Sequence, residues 1–392
     1  MAPLLSFAAL LLSLLPAATD ALCTNTTVVS LPPPEGPYVS SITVQTLTDR
    51  SRLNPFNVSD ARSPYRQLVV SYYEPYQKES CALIGDIDYM TAGVAEFFNA
   101  ANLPLPDMTT FSQMKLSGVC LEPHGQVADA PLLLFSGGFW TSRQEYGALV
   151  QRISSWGYRV VLIDHPYDAS VVQFPEGDIV YSYYASDIPT DAISQFVQDI
   201  RVKDIPFVAK TFGQPGEKIG FYGHSLGASC ETAVLQNDTT DTFIAALNLD
   251  GKLVGNTGDL GLGVAGSPAR SYMFIGHDNH TVPSEPSWVA LWNTTAQLTP
   301  DDARVAVDIP GTIHNSFNDL PLVIETAGVR SINESYFTTL IGTKNGLREV
   351  QDISAYAREF FDWTMKGNAT HPLLDGPNPE FPDVVYGQKA GF

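Results

Sequence analysis

Apolar positions along the chain fall into two regimes. Up to about residue 125 they are scattered. Residues 31–60 are rich in Pro, Ser, Asn and Thr, and within them the alternating stretch 41–47 predicts an edge strand. Residues 67–73 predict a better strand, ended by Glu74 and Pro75. Residues 87–101 predict a helix stopped before Pro104, and residues 107–125 irregular chain. Residues 131–135 are then continuously apolar, the signature of a strand buried on both faces. After them the pattern alternates in type: helix 142–156, strand 158–163, helix 190–204, strands 218–222, 243–249, 271–275 and 304–309, and helices 316–326 and 349–366. Strands separated by helix-length segments imply right-handed crossovers, hence an α/β architecture with a mainly parallel central sheet and helices on both faces. No Pro- or Gly-rich linker divides this run and no repeat is visible. The expectation is one domain over residues 22–392, with residues 22–125 as an N-terminal extension packed on it.

Composition adds a compartment. The chain has 392 residues, and an apolar run over residues 4–15, followed by small residues up to Ala21, reads as a secretory signal peptide covering residues 1–21. That run is shorter than the roughly 20 residues of a membrane-spanning helix, and no later segment approaches that length. N-x-S/T sequons at Asn25, Asn57, Asn237, Asn279, Asn293, Asn333 and Asn368 fit a glycosylated, extracellular product. The 42 acidic against 22 basic residues give a net charge of −20, which repels nucleic acid and anionic membranes. The cysteines, Cys23, Cys81, Cys120 and Cys230, lack metal-ligand spacing. Cys81 and Cys120 flank one segment and are expected to form a disulfide, and Cys230 is expected to be a buried thiol.

Candidate chemistry begins at Gly223-His224-Ser225-Leu226-Gly227, between the strand at 218–222 and a small-residue helical segment. This is the strand, sharp turn, helix setting of a nucleophile elbow. Glycines two positions either side of Ser225 remove side chains that would collide with the neighbouring strand and helix. The turn presents the Ser225 hydroxyl, with the Leu226 N–H at a helix start where an oxyanion is stabilised. A neutral serine needs a base, itself oriented by an acid, and in α/β-hydrolases these follow in the order Ser, acid, His. Of the histidines after Ser225, His371 falls in a Pro-rich tail, and His277 and His280 are rivals that the Asn279 sequon between them marks as solvent-exposed; His314, looped off the last predicted strand by residues 310–313, is the best base. Asp250 and Asp278 each follow a strand, and spacing alone leaves both open as the acid. Gly137-Gly138 follows the apolar strand 131–135, and its loop supplies Phe139 N–H as the second oxyanion donor.

These pieces together resemble one family, the platelet-activating-factor acetylhydrolases of the secreted plasma type and their fungal relatives. The matching residues are Leu134-Phe135-Ser136-Gly137-Gly138 with Arg143 and Tyr146, the elbow, Leu249-Asp250-Gly251, and Gly311-Thr312-Ile313-His314-Asn315-Ser316-Phe317-Asn318-Asp319. Gly36-Pro37-Tyr38 and Val70-Ser71-Tyr72-Tyr73 extend the likeness over residues 36–367. The resemblance implies an α/β-hydrolase fold and calcium-independent hydrolysis of short acyl esters, typified by the sn-2 acetyl group of an ether phospholipid. It also implies Asp250 as the acid and Asp319 as a support for the His314 loop. One departure stands out: Gly137-Gly138 occupies the place of a His-Gly pair in relatives.

The functional expectation is a secreted serine esterase of phospholipid or small-molecule esters, with no metal and no organic cofactor. A broader carboxylesterase, lipase or polyester hydrolase on the same triad is the alternative. A catalytically silent fold used as a binding module is disfavoured by the presence of Ser, acid and His in order.

Overall fold

The computed structural model of the chain describes residues 28–56, 62–100, 111–125, 130–184, 189–263 and 268–392; the predicted leader, Cys23, Asn25 and Asn57 lie outside them. The strands are β1 Val29–Leu31, β2 Tyr38–Leu53, β3 Tyr65–Gln77, β4 Ile84–Asp88, β5 Met114–Cys120, β6 Leu132–Ser136, β7 Arg159–Asp164, β8 Val171–Gln173, β9 Ile179–Tyr181, β10 Ile219–His224, β11 Phe243–Leu249, β12 Ser271–Gly276, β13 Ala303–Asp308 and β14 Val385–Ala390. The helices are α1 Ala92–Ala100, α2 Gly147–Ser154, α3 Asp191–Phe212, α4 Leu226–Asn237, α5 Pro286–Leu298, α6 Leu320–Thr326, α7 Glu334–Ile341, α8 Gly346–Lys366 and α9 Pro372–Asp375.

A 12-stranded sheet runs in the order β1-β5-β2-β3-β7-β6-β10-β11-β12-β13-β14, with β4 on β5. From β7 through β13 every pairing is parallel. β3 joins antiparallel to β7, and β14 closes the far edge antiparallel to β13.

The continuous apolar runs are explained by burial on two sides. Successive side chains of a strand point to opposite faces. Leu133 and Phe135 of β6 therefore pack with Leu149 of α2, Val323 of α6 and Phe360 of α8. Leu132 and Leu134 pack instead with Val197 of α3, Val234 of α4 and Leu291 of α5.

The N-terminal region departs most from its sequence pattern. The expected edge strand at 41–47 is part of the 16-residue β2, hydrogen-bonded to β3 and β5 and so interior to the sheet. The stretch expected to be irregular contains β5, whose Met114, Leu116, Val119 and Cys120 are buried. The helix expected over 87–101 is strand β4 to Asp88 and helix α1 from Ala92. Residues 142–156 open with a 3-10 turn at Arg143–Tyr146 before α2. Helix α3 continues through Pro206 to Phe212, well past its predicted end at 204. A proline inside a helix costs about 3 kcal/mol, and burial of Ile205, Val208 and Ala209 against the sheet offsets it. The tail carries a further helix and β14, so β13 is not the last strand.

Cys81 and Cys120 form the expected disulfide, with Cα atoms 5.8 Å apart, and Cys230 is a buried free thiol. Among the described residues no helix is long and apolar enough to cross a membrane.

Candidate active site

The site is assembled at the carboxyl ends of the parallel strands, where ligands collect in such sheets. Ser225 follows β10 with φ 55° and ψ −123°, a region that non-glycine residues occupy at a cost of about 1–3 kcal/mol. Its N–H donates to Leu249 O at 3.0 Å, which tethers the turn to β11. The flanking glycines are dictated by contact. A Cβ on Gly227 would lie 2.1 Å from Ser136 O, and one on Gly223 would lie 2.5 Å from Glu231 Oε1.

Three side chains predicted from separate parts of the sequence meet here. His314 Nε2 lies 2.9 Å from Ser225 Oγ, and His314 Nδ1 lies 2.5 Å from Asp250 Oδ2. Asp250 follows β11 at φ 54° and is fully buried. Burial alone would raise its pKa, but the hydrogen bonds and charges of His280 and His314 outweigh that and hold it well below the usual carboxylate range. Asp278, the rival acid, is exposed and accepts from Gly311 N at 2.9 Å instead.

The Asn279 sequon marks His280 as a solvent-exposed rival base in the sequence, yet its Nδ1 lies 2.5 Å from the other oxygen of Asp250, Oδ1. Its ring stacks on Trp288 with centroids 4.4 Å apart. His277 Nε2 lies 3.6 Å from the same Oδ1. The available signal was position: His277 and His280 sit in the turn that follows β12, one strand over from Asp250.

The loop after β6 lies against Ser225, since a Cβ on Gly138 would come within 3.3 Å of Ser225 Cβ. A Cβ on Gly137 would be 2.7 Å from the Tyr146 ring and 2.9 Å from Thr141 Oγ1, so a histidine in that place requires those side chains to shift. The buried Arg201 grips this loop from behind. Its Nη1 donates to Gly137 O at 2.5 Å and its Nη2 to Gly138 O at 2.9 Å, while Asp168 holds the guanidinium at Nε and Nη2. In a trans peptide C=O and N–H point in opposite directions, so fixing Gly138 O turns Phe139 N–H away from Arg201. Among the described residues neither Phe139 N–H nor Leu226 N–H is used by another hydrogen bond. Arg201 and Asp168 carried no motif and were not visible in the sequence.

His224 links the two loops. Its Nε2 lies 3.0 Å from His314 O, which can only accept, so Nε2 carries the proton and Nδ1 accepts from Tyr146 OH at 2.9 Å. Tyr146 OH in turn accepts from Gly138 N at 3.1 Å. Burial, helped by the nearby His314, pushes the His224 pKa down to about 3, so the ring stays neutral.

Among the described residues Asp319 makes no hydrogen bond to His314. Its carboxylate accepts from Ala148 N at 2.7 Å and Leu149 N at 2.9 Å, capping the start of α2, and its own N–H donates to Glu145 O at 2.7 Å. The chain just after His314 is thereby pinned to α2.

Aromatic rings crowd the Phe139 side of the site. Phe139 pairs with Tyr184 at 5.5 Å and Trp140 with Phe97 at 6.2 Å, and Tyr181 and Tyr183 are exposed beside them. A groove of about 770 Å³ lies elsewhere, lined by Ile219 and Phe243 at the opposite, amino-terminal ends of β10 and β11.

The sheet order, the crossovers and the strained serine after β10 are those of an α/β-hydrolase. The solved ferulic acid esterase from Streptomyces cinnamoneus has the same fold, with a TM-score of 0.72 at 24% identity, over 92% of this chain and 100% of that one. No family model matches the chain. It is 32% identical over 374 residues to the probable 1-alkyl-2-acetylglycerophosphocholine esterase of Arthroderma benhamiae, spanning 91% of this chain and 93% of that protein. The chain belongs to that family, the platelet-activating-factor acetylhydrolases, and is a carboxylic ester hydrolase.

Proposed function

We propose that the enzyme is a secreted serine esterase that removes short acyl groups, of the kind carried at the sn-2 position of an acetylated ether phospholipid, through an acyl-enzyme. The observation that carries this reading is the unbroken line from Ser225 Oγ through His314 to the buried Asp250.

In this mechanism His314 Nε2 takes the Ser225 proton as the oxygen attacks the ester carbonyl. The negative charge that develops on the carbonyl oxygen is received by Phe139 and Leu226 N–H, the latter at the start of α4. The imidazolium, stabilised by Asp250, then gives its proton to the departing glycerol oxygen. Water, deprotonated by His314, releases the acyl group as a carboxylate and returns Ser225. Asp250 remains ionised throughout, as its depressed pKa requires.

Export is supported by the apolar leader and by a disulfide, a bond of oxidising compartments. The sequon asparagines Asn237, Asn279, Asn293, Asn333 and Asn368 are all exposed, as glycosylation needs.

The aromatic cluster beside Phe139 favours a second reading, an esterase of longer or aromatic acyl groups. Rates on two-carbon to eight-carbon acyl esters separate the two: a steep fall with length supports the acetylhydrolase, and a flat or rising profile supports the broader esterase. Full activity in Ser225→Ala, or failure of an organophosphonate to label Ser225 in folded protein, contradicts both.

A further inference from the structure

The carboxylate that serves His314 is also approached by two imidazoles that the proposed reaction does not use. Among the described residues, Asp250, His277 and His280 form a group whose donor atoms all lie within 4.8 Å of one another. Both histidines sit on one tight turn, closed by His277 N donating to His280 O and His280 N donating to His277 O. Trp288 stacked on His280 fixes the plane of that ring.

We propose that Asp250, His277 and His280 form an inhibitory site for a borderline-soft dication of the Zn2+ type. Two imidazole nitrogens and one carboxylate oxygen are a common donor set for such an ion, with bonds of about 2.0–2.2 Å. At that bond length tetrahedral donors stand roughly 3.3 Å apart. The ion therefore replaces the 2.5 Å hydrogen bond between His280 and Asp250 after shifts of about an ångström.

The surroundings suit the exchange. His280 Nε2 is buried and has no hydrogen-bond partner, and Glu285 Oε2 lies 3.7 Å away. Moving the ring proton from Nδ1 to Nε2 frees Nδ1 for the metal and gives the proton a carboxylate to face. Such an outer carboxylate behind a ligating histidine strengthens zinc sites. His277 and His280 are 17% and 14% exposed at their side chains, so an ion reaches them from solvent.

Inhibition rests on the catalytic reading above. A dication on Oδ1 cancels the charge with which Asp250 stabilises the His314 imidazolium, and the turnover that depends on that charge is lost.

The test is calorimetric titration of Zn2+ into chelator-treated enzyme, run beside the esterase rate with Zn2+, Mg2+ or Ca2+. One saturable Zn2+ site is expected, with a loss of activity of ~10-fold or more that EDTA reverses, within the ~10,000-fold that an acid without its charge costs such a triad. The hard cations, which prefer oxygen donors, should not inhibit. In His277→Gln, affinity and inhibition should both weaken by ~10-fold or more, read as the ratio of rates with and without Zn2+, which cancels any change in basal rate. Absence of a saturable site, or equal affinity in His277→Gln, overturns the site. Zn2+ that binds native enzyme without slowing it overturns the inhibitory role. Calorimetry on Ser225→Ala reads the metal site without turnover, so failure of the catalytic reading is distinguishable from failure of this one.

Discussion

Replacing Asp250 by Asn removes one charge from the site and leaves its shape. The carboxylate bonds His314 at 2.5 Å, and at an effective dielectric of about 20 two charges ~4 Å apart interact by about 4 kcal/mol. Losing that term from the transition state slows turnover roughly 1,000-fold. The amide must also choose an orientation. With its NH2 group turned to His314, that ring would hold its proton on Nε2 and could not accept from Ser225, and the loss would approach the ~10,000-fold seen for the same exchange in Ser-His-Asp proteases. His280 permits the other orientation, because its own proton can move to Nε2 opposite Glu285. The expected result is therefore a kcat about 1,000-fold lower with little change in KM. The assay is steady-state hydrolysis of 4-nitrophenyl acetate, with folding of each variant checked by circular dichroism and thermal melting beside the native enzyme. A loss under ~10-fold, or an equal loss in Asp278→Asn, would refute the assignment of the acid.

Arg201→Met should lower kcat by up to about 100-fold, the cost of losing one oxyanion donor, because only Thr141 Oγ1 then holds Gly138 O; pairing it with Asp168→Asn should restore melting temperature and not kcat. Burial raises the pKa of Glu145 to about 8 from its ordinary 4.5, so the folded state holds a proton there that the unfolded chain releases. That contribution to stability is complete below about pH 4.5 and is lost as pH rises toward 8, so thermal melting should fall over this window and fall less in Glu145→Gln. Removing the Cys81–Cys120 bond, which spans a sequence separation of 39, should cost about 4 kcal/mol in urea unfolding if chain entropy governs it.

Local pattern was enough for the parallel strands and the turn at Ser225. The apolar run at 132–135 and the glycines around Ser225 leave few alternatives, because a strand buried on both faces and a turn this tight tolerate few residues. The helix–strand alternation then placed Asp250 and His314 after strand ends, and family resemblance chose Asp250 over Asp278. What the pattern could not supply was which partners the N-terminal segment would find. β2 and β5 are interior strands only because β3 continues the sheet beyond β7, a pairing between residues about 90 apart in sequence.

The tight turn at Ser225 and the glycine-rich loop were thus legible in sequence alone, since each carries its constraint within a few neighbouring residues, and His314 was picked out by its order after Ser225 and its place off a strand end. Tertiary structure alone decided that Arg201 grips Gly137 and Gly138 and that Asp250 answers to two histidines. The first joins a strand end to a distant helix and the second joins the ends of neighbouring strands, and the hydrogen-bond partner of a buried charge is set by where the chain brings it.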